Sequence, residues 1–163
     1  MRGIAMRRPA SVLPTDRLLI AGKEAPLGAH LVSPRVGFTH HGIYAGAGKV
    51  IHYGSLGESL RRRPVEEVSI ARFAHQHAVW IRAPRTAGLD GETVVHRARS
   101  RMGEDCYSLL SNNCEHFCEW CMHGEQRSYQ VERMVEVQRR VLWAASVVLP
   151  LLLALPLLRG LLA

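Results

Sequence analysis

Cys114 is the residue with the most chemistry to offer. It follows Ser111, Asn112 and Asn113 and leads into Glu115-His116-Phe117-Cys118-Glu119-Trp120-Cys121. Ser and Asn are favoured N-caps, so the pattern predicts a helix that starts near Cys114 and stops at Gly124. A thiol in the first turn of a helix faces unpaired N–H groups and the positive end of the macrodipole. Both favour the thiolate, so the expectation is a nucleophile with a lowered pKa. For a lone cysteine, a small buried residue in an ordinary helix would be the better reading. Two upstream stretches argue against it: Thr39-His40-His41-Gly42-Ile43-Tyr44 and Val50-Ile51-His52-Tyr53. An imidazole near a thiol supplies the base that nucleophilic catalysis requires.

Those two stretches read as one β-hairpin. Residues 38–45 and 49–53 are β-type runs separated by Gly46-Ala47-Gly48. Alternation puts His40, Gly42 and Tyr44 on one face and His41, Ile43 and Ala45 on the other. With a three-residue loop, His52 falls opposite Gly42 and shares the face of His40. The two histidines are then about 7–8 Å apart at the backbone, within side-chain reach. Gly42 leaves room for both rings. A two-residue loop shifts the register by one and gives His52 to the His41 face. The spacing alone leaves both registers open.

At 163 residues the chain has room for one domain with a core. Its net charge of +7 is carried almost wholly by arginine, Lys23 and Lys49 being the two lysines. The charge is scattered apart from Arg61-Arg62-Arg63, which no aromatic residues interleave, and this argues against a nucleic-acid partner. Four cysteines lie between Cys106 and Cys121, with Cys114, Cys118 and Cys121 on one helix face. A disulfide framework would spread them through the chain. The first nine residues lack the apolar stretch of a secretory signal, so a reducing compartment is expected. Residues 17–21, 29–32 and 79–82 read as short extended segments, 65–73 as a strand or turn, and 92–102 and 131–140 as helices.

The three blocks Thr39-His40-His41-Gly42-Ile43-Tyr44, Val50-Ile51-His52 and Asn113-Cys114-Glu115-His116-Phe117 resemble the lecithin:retinol acyltransferase-like family. That family is the circularly permuted branch of the NlpC-type, papain-like thiol enzymes. The likeness runs from about residue 29 to 124, with the blocks in the family's order. It implies an α+β fold in which a small antiparallel sheet packs on helices, followed here by a C-terminal hydrophobic helix. It also implies Cys114 as nucleophile, His40 as base and His52 as the group orienting that base, without cofactor or metal. Tyr44, on the same strand face, is expected to touch substrate. The family's eukaryotic members move acyl chains from phospholipids through a cysteine thioester to an acceptor, and water as acceptor makes the same site a phospholipase. The resemblance therefore implies a phospholipid or other acyl ester as partner. Sister branches act on peptide or peptidoglycan amides, and a membrane-tethered module without turnover is the non-enzymatic alternative. The chain departs from the pattern in His41, where relatives often carry an aromatic residue, and in Cys118 and Cys121.

Cys114, Cys118 and Cys121 also match an iron–sulfur spacing, but that spacing belongs to a loop early in a much larger barrel. A zinc site drawn from His116, Cys118, Cys121 and His123 lacks a second half. Core packing is the expectation for Phe117, Cys118 and Cys121. His116 and His123 are expected at the surface or helix end, while His30, His75, His77 and His96 fall into no pattern. The last feature is residues 141–158, eighteen in a row without charge. As a helix they span about 27 Å, against a hydrocarbon core of about 30 Å. Arg139 and Arg140 precede them and Arg159 follows, which puts the enzyme on the cytoplasmic side of a membrane. Pro150 and Pro156 keep an interfacial segment in play. The expected organisation is an arm over 1–16, a catalytic domain over 17–126, a linker helix over 127–140 and a membrane segment over 141–163.

Overall fold

The computed structural model describes residues 8–54, 64–84 and 88–161, with side chains as far as 150. The arginine triplet at 61–63 lies outside them. The chain divides into two units, Met1–Ser128 and Tyr129–Ala163.

Strands β1 (Arg17–Leu18), β2 (His30–Pro34), β3 (Thr39–Gly46), β4 (Lys49–Tyr53), β5 (Val65–Ser69) and β6 (Trp80–Ile81) form one sheet in the first unit. Its order is β1-β6-β2-β3-β4-β5, antiparallel throughout. The central strands are buried on both faces because each face carries apolar side chains and each is covered. On one face Ile43, Ile51, Tyr53 and Val65 pack with helices α2 (Gly91–Ser100) and α3 (Cys114–His123) through Val94, Val95, Ala98, Phe117, Cys118 and Cys121. On the other, Leu31, Tyr44, Val50 and Val68 pack with Phe73 of the short helix α1 (Ile70–Ala74). This is the α+β arrangement expected from the sequence. The ambiguous stretch 65–73 turns out to be a strand that runs straight into α1, capped by Ser69.

The hairpin resolves the open question of register. Tyr44 pairs with Val50 and Ile43 with Ile51, as a three-residue loop requires, yet Gly46 pairs directly with Lys49. The tight turn is therefore Ala47-Gly48, both at positive φ (47° and 67°), as favoured hairpin turns demand. The extra residue, Ala45, is taken up by a bulge. His40 and His52 accordingly share a face. Gly42 leaves no room for a side chain beside them: a Cβ there would come within 2.6 Å of Val50 Cγ1 and 2.9 Å of the Phe73 ring.

The second unit holds one helix, α4 (Tyr129–Leu161), 33 residues long. The expected linker helix and apolar segment are thus continuous, and the helix runs through both prolines. Among the described residues no helix is long and apolar enough to cross a membrane. Residues 151–158 of the apolar segment fall where side chains are not described.

Gly42→Ala should overpack the sheet against Phe73 and displace His52. The expected cost is about 1–3 kcal/mol, read as a lower midpoint in denaturant with an unchanged slope. Wild-type stability would show that the α1 face can give way.

Candidate active site

The pairing of β3 and β4 ends at Ile43 and Ile51. Beyond that point each strand keeps its outer partner: His40 and His41 pair with Ser33 and Val32 of β2, and His52 and Tyr53 with Glu66 and Val65 of β5. This leaves a gap in the hydrogen-bond ladder between the two inner strands, which stay in contact at Gly42 and His52. Tyr44 N–H bonds Ala29 O on the β2 side. Strand N–H groups alternate between edges, so the His41 N–H points the other way, into the gap. There it meets Cys114 Sγ, which it serves as hydrogen-bond donor. The thiol thus lies against the peptide that joins His40 to His41.

The start of α3 brings it there. The Asn113 side chain accepts the N–H groups of Glu115 and His116 at 2.9 and 3.1 Å, and His116 Nδ1 accepts the Asn113 N–H at 3.2 Å. His116 is therefore a capping partner at the helix end, one of the two places expected of it, and it is buried there. Glu115 is fully buried, 3.6 Å from Arg82 and accepting Ser128 Oγ at 2.7 Å. Arg82 also reaches Asp16 at 3.4 Å, so the buried charges are compensated. On the approach side, Asn112 Nδ2 donates to Tyr53 Oη and Glu104 at 3.2 and 3.1 Å. Hydrogen bonds from Arg101 hold the Glu104 carboxyl down at about 2. Between these anchors Leu109 and Leu110 are 59% and 58% exposed, a few residues before the thiol.

The charge state differs from the expectation. Burial pushes the Cys114 thiol up to about 12, against the pull of the His41, Cys114 and Glu115 N–H groups. A helix start contributes about 0.3–1 kcal/mol, whereas full burial shifts a group by up to roughly 3–5 pH units. Burial wins. It also holds His40 well below the usual imidazole range, helped by His52, Arg35 and His41. The closed site therefore holds a neutral thiol and a neutral base.

His40 Nε2 and His52 Nδ1 are 2.9 Å apart, and the Phe73 ring packs on both. His40 Nδ1 is buried and makes no hydrogen bond among the described residues. The structure thus joins His40 to His52 and puts Cys114 at the same gap, without a hydrogen bond from sulfur to that nitrogen. Tyr44 is elsewhere: it is buried in the core, and its hydroxyl accepts the Gly48 N–H at 3.0 Å. It serves the turn. Cys118 and Cys121 are core residues as expected, and among the described residues no cluster of His, Cys, Asp or Glu could hold a metal.

One feature escaped the sequence. His30 Nε2 and His41 Nδ1 are 2.8 Å apart on the opposite face of the sheet, and His30 Nδ1 lies 3.7 Å from Glu119. Two imidazole pairs therefore flank one strand. The β2–β3 register that creates the second pair carries no local signal.

A family model described as lecithin retinol acyltransferase matches residues 23–127, well over half of the chain. The chain belongs to that family. It is 29% identical to lecithin retinol acyltransferase of Bos taurus over 136 residues, 67% of this chain and 59% of the relative. The Homo sapiens protein of that name is also 29% identical, with 71% and 62% covered. Phospholipase A and acyltransferase 2 of Homo sapiens is 30% identical over 150 residues, 80% of this chain and 93% of the relative. The chain thus spans about three-fifths of the lecithin retinol acyltransferases and nearly all of the shorter relative. Its six-stranded antiparallel sheet with helices agrees with the permuted papain-like fold of the family.

A buried neutral thiol should react slowly with small electrophiles. In the ligand-free protein at pH 7, iodoacetamide should label exposed Cys106 at least about tenfold faster than Cys114, as thiolate fraction and access dictate. Peptide mapping by mass reads the order, and Cys114 labelled first would mean that the thiolate is the resting form.

Proposed function

We propose that the protein is a membrane-tethered thiol acyltransferase or phospholipase acting on lipid acyl esters. The observation that carries this reading is the meeting of Cys114 with the His41 peptide, beside the His40–His52 pair, in a chain of this family. The relatives' names, an acyltransferase of lecithin and retinol and a phospholipase A with acyltransferase activity, favour a lipid ester. The exposed Leu109 and Leu110, a few residues before the nucleophile, offer apolar surface suited to an acyl chain.

In the mechanism, Cys114 Sγ bonds to the ester carbonyl carbon as its proton passes to His40 Nδ1. His52 orients His40 through Nε2 and shares the charge that develops. The His41 and Cys114 N–H groups are candidate donors to the carbonyl oxygen as it becomes negative. The ester C–O bond breaks, and the leaving alkoxide takes the proton from His40. An acceptor hydroxyl or water then gives its proton to His40 and attacks the thioester. The C–S bond breaks and the thiolate recovers the proton, which leaves the site neutral again.

Incubation with phosphatidylcholine should add one acyl mass to Cys114, removable by hydroxylamine as a thioester is. The adduct should vanish in Cys114→Ser and form at least about a hundredfold more slowly in His40→Gln, the loss typical of a missing general base. An adduct that survives in Cys114→Ser would sink the assignment.

The second unit is the tether in this proposal. Val141, Leu142 and Trp143 of α4 are exposed, Trp143 at 71%. Arg139 and Arg140 ahead of them favour a cytoplasmic catalytic unit. Deleting residues after Arg140 should move the protein from the membrane pellet to the soluble fraction. Turnover of short soluble esters should survive while turnover of vesicle phospholipid falls. A truncated protein that stays in the pellet after a carbonate wash would refute the tether.

A further inference from the structure

His52 faces two neighbours with opposed demands. Its Nδ1 lies 2.9 Å from His40 Nε2 and also 2.9 Å from the Tyr53 carbonyl oxygen. A carbonyl only accepts, so it favours a proton on His52 Nδ1. In that tautomer His40 Nε2 must accept and the His40 proton resides on Nδ1. That nitrogen is buried without a hydrogen-bond partner among the described residues, so it becomes an unsatisfied donor and cannot take a proton from a thiol. The opposite tautomer works: with the proton on His52 Nε2, Nδ1 accepts from His40 Nε2–H and His40 Nδ1 carries a lone pair.

The carboxylate of Glu66 is positioned to choose between them. The β4–β5 register pairs Glu66 directly with His52, on the same face, and its Oε1 lies 3.8 Å from His52 Nε2, longer than a hydrogen bond, so it acts through its charge. We propose that Glu66 is a positioning residue that holds His52 in the Nε2–H tautomer and thereby keeps His40 Nδ1 ready to accept the Cys114 proton. This rests on the reading of His40 as base. The same carboxylate stabilises the positive charge that spreads over the imidazole pair as the proton arrives. Arg72 of α1 opposes it, 3.3 Å from Glu66 Oε2 and 54% exposed. Among the described residues Arg35 and His41 also act on His40, and both disfavour its protonated form. Glu66 is the counterweight.

Two readouts test this in the full-length protein. The first is the pH profile of kcat/KM with p-nitrophenyl butyrate as probe, for wild type, Glu66→Gln and Arg72→Gln at matched thermal stability. Glu66→Gln should lower kcat roughly tenfold with KM within about twofold, and move the acidic limb down by about half to one pH unit. Arg72→Gln should move the limb up. The second readout needs no turnover: in 15N-histidine spectra at pH 8, His52 should show the Nε2–H pattern in wild type and the Nδ1–H pattern in Glu66→Gln. A wild-type profile in Glu66→Gln, limb shifts of the same sign in both variants, or an Nδ1–H pattern in wild type would overturn the role of Glu66. Turnover retained by Cys114→Ser would instead overturn the reading of the site on which it rests.

Discussion

The break in the β3–β4 hydrogen-bond ladder beyond Ile43 and Ile51 governs the site. A strand N–H without a strand partner must find another acceptor, and at His41 that acceptor is a sulfur. Had the pairing continued, the His41 N–H would have bonded β4 and left no opening for the start of α3. The ladder can break there because neither strand loses its outer neighbour: β2 holds His40 and His41, and β5 holds His52 and Tyr53. The Asn113 cap and the buried Arg82–Glu115 contact then fix the end of α3 against the opening.

Burial sets the chemistry as strongly as geometry does. A helix start is usually taken as the device that ionises a cysteine, yet here it acts against full desolvation and loses. The same desolvation keeps His40 neutral, so the site stores a proton on sulfur and an empty site on nitrogen. Such a pair can move the proton as the carbonyl is attacked, and it does not hold a charged ion pair between turnovers. Under the proposed function, an ester entering the gap would displace no strongly hydrated ion, which suits a substrate delivered from an apolar phase.

Much of this could be read from residue order, where the determinants are local. Asn113 and Gly124 bound α3 as the cap rules require, and alternation assigned His40 and His41 to opposite faces. The register of the hairpin was open because a bulge lets a two-residue turn keep a three-residue register, and no composition rule announces a bulge at Ala45. His30 was passed over, and the burial of His116 and the turn contact of Tyr44 were not foreseen, for a related reason. Their roles come from partners across a strand, across a helix start or across a turn, and from the burial those partners create. The thiol's charge state was misread because an N-terminal turn is visible in sequence while the depth at which it is buried is not.

The bulge at Ala45 has a wider consequence. Two adjacent histidines point to opposite sides of one sheet, each already matched to another imidazole, His40 with His52 and His41 with His30. The hairpin is thus a reading frame set by which residue of β3 stands opposite Val50. Were Ala45 to leave the bulge and pair there, with every side chain of the motif intact, β4 would slide by one place and His52 would meet the wrong side. Deleting Ala45 would keep Tyr44 opposite Val50, so the frame survives a change of loop length and fails only when the pairing slips.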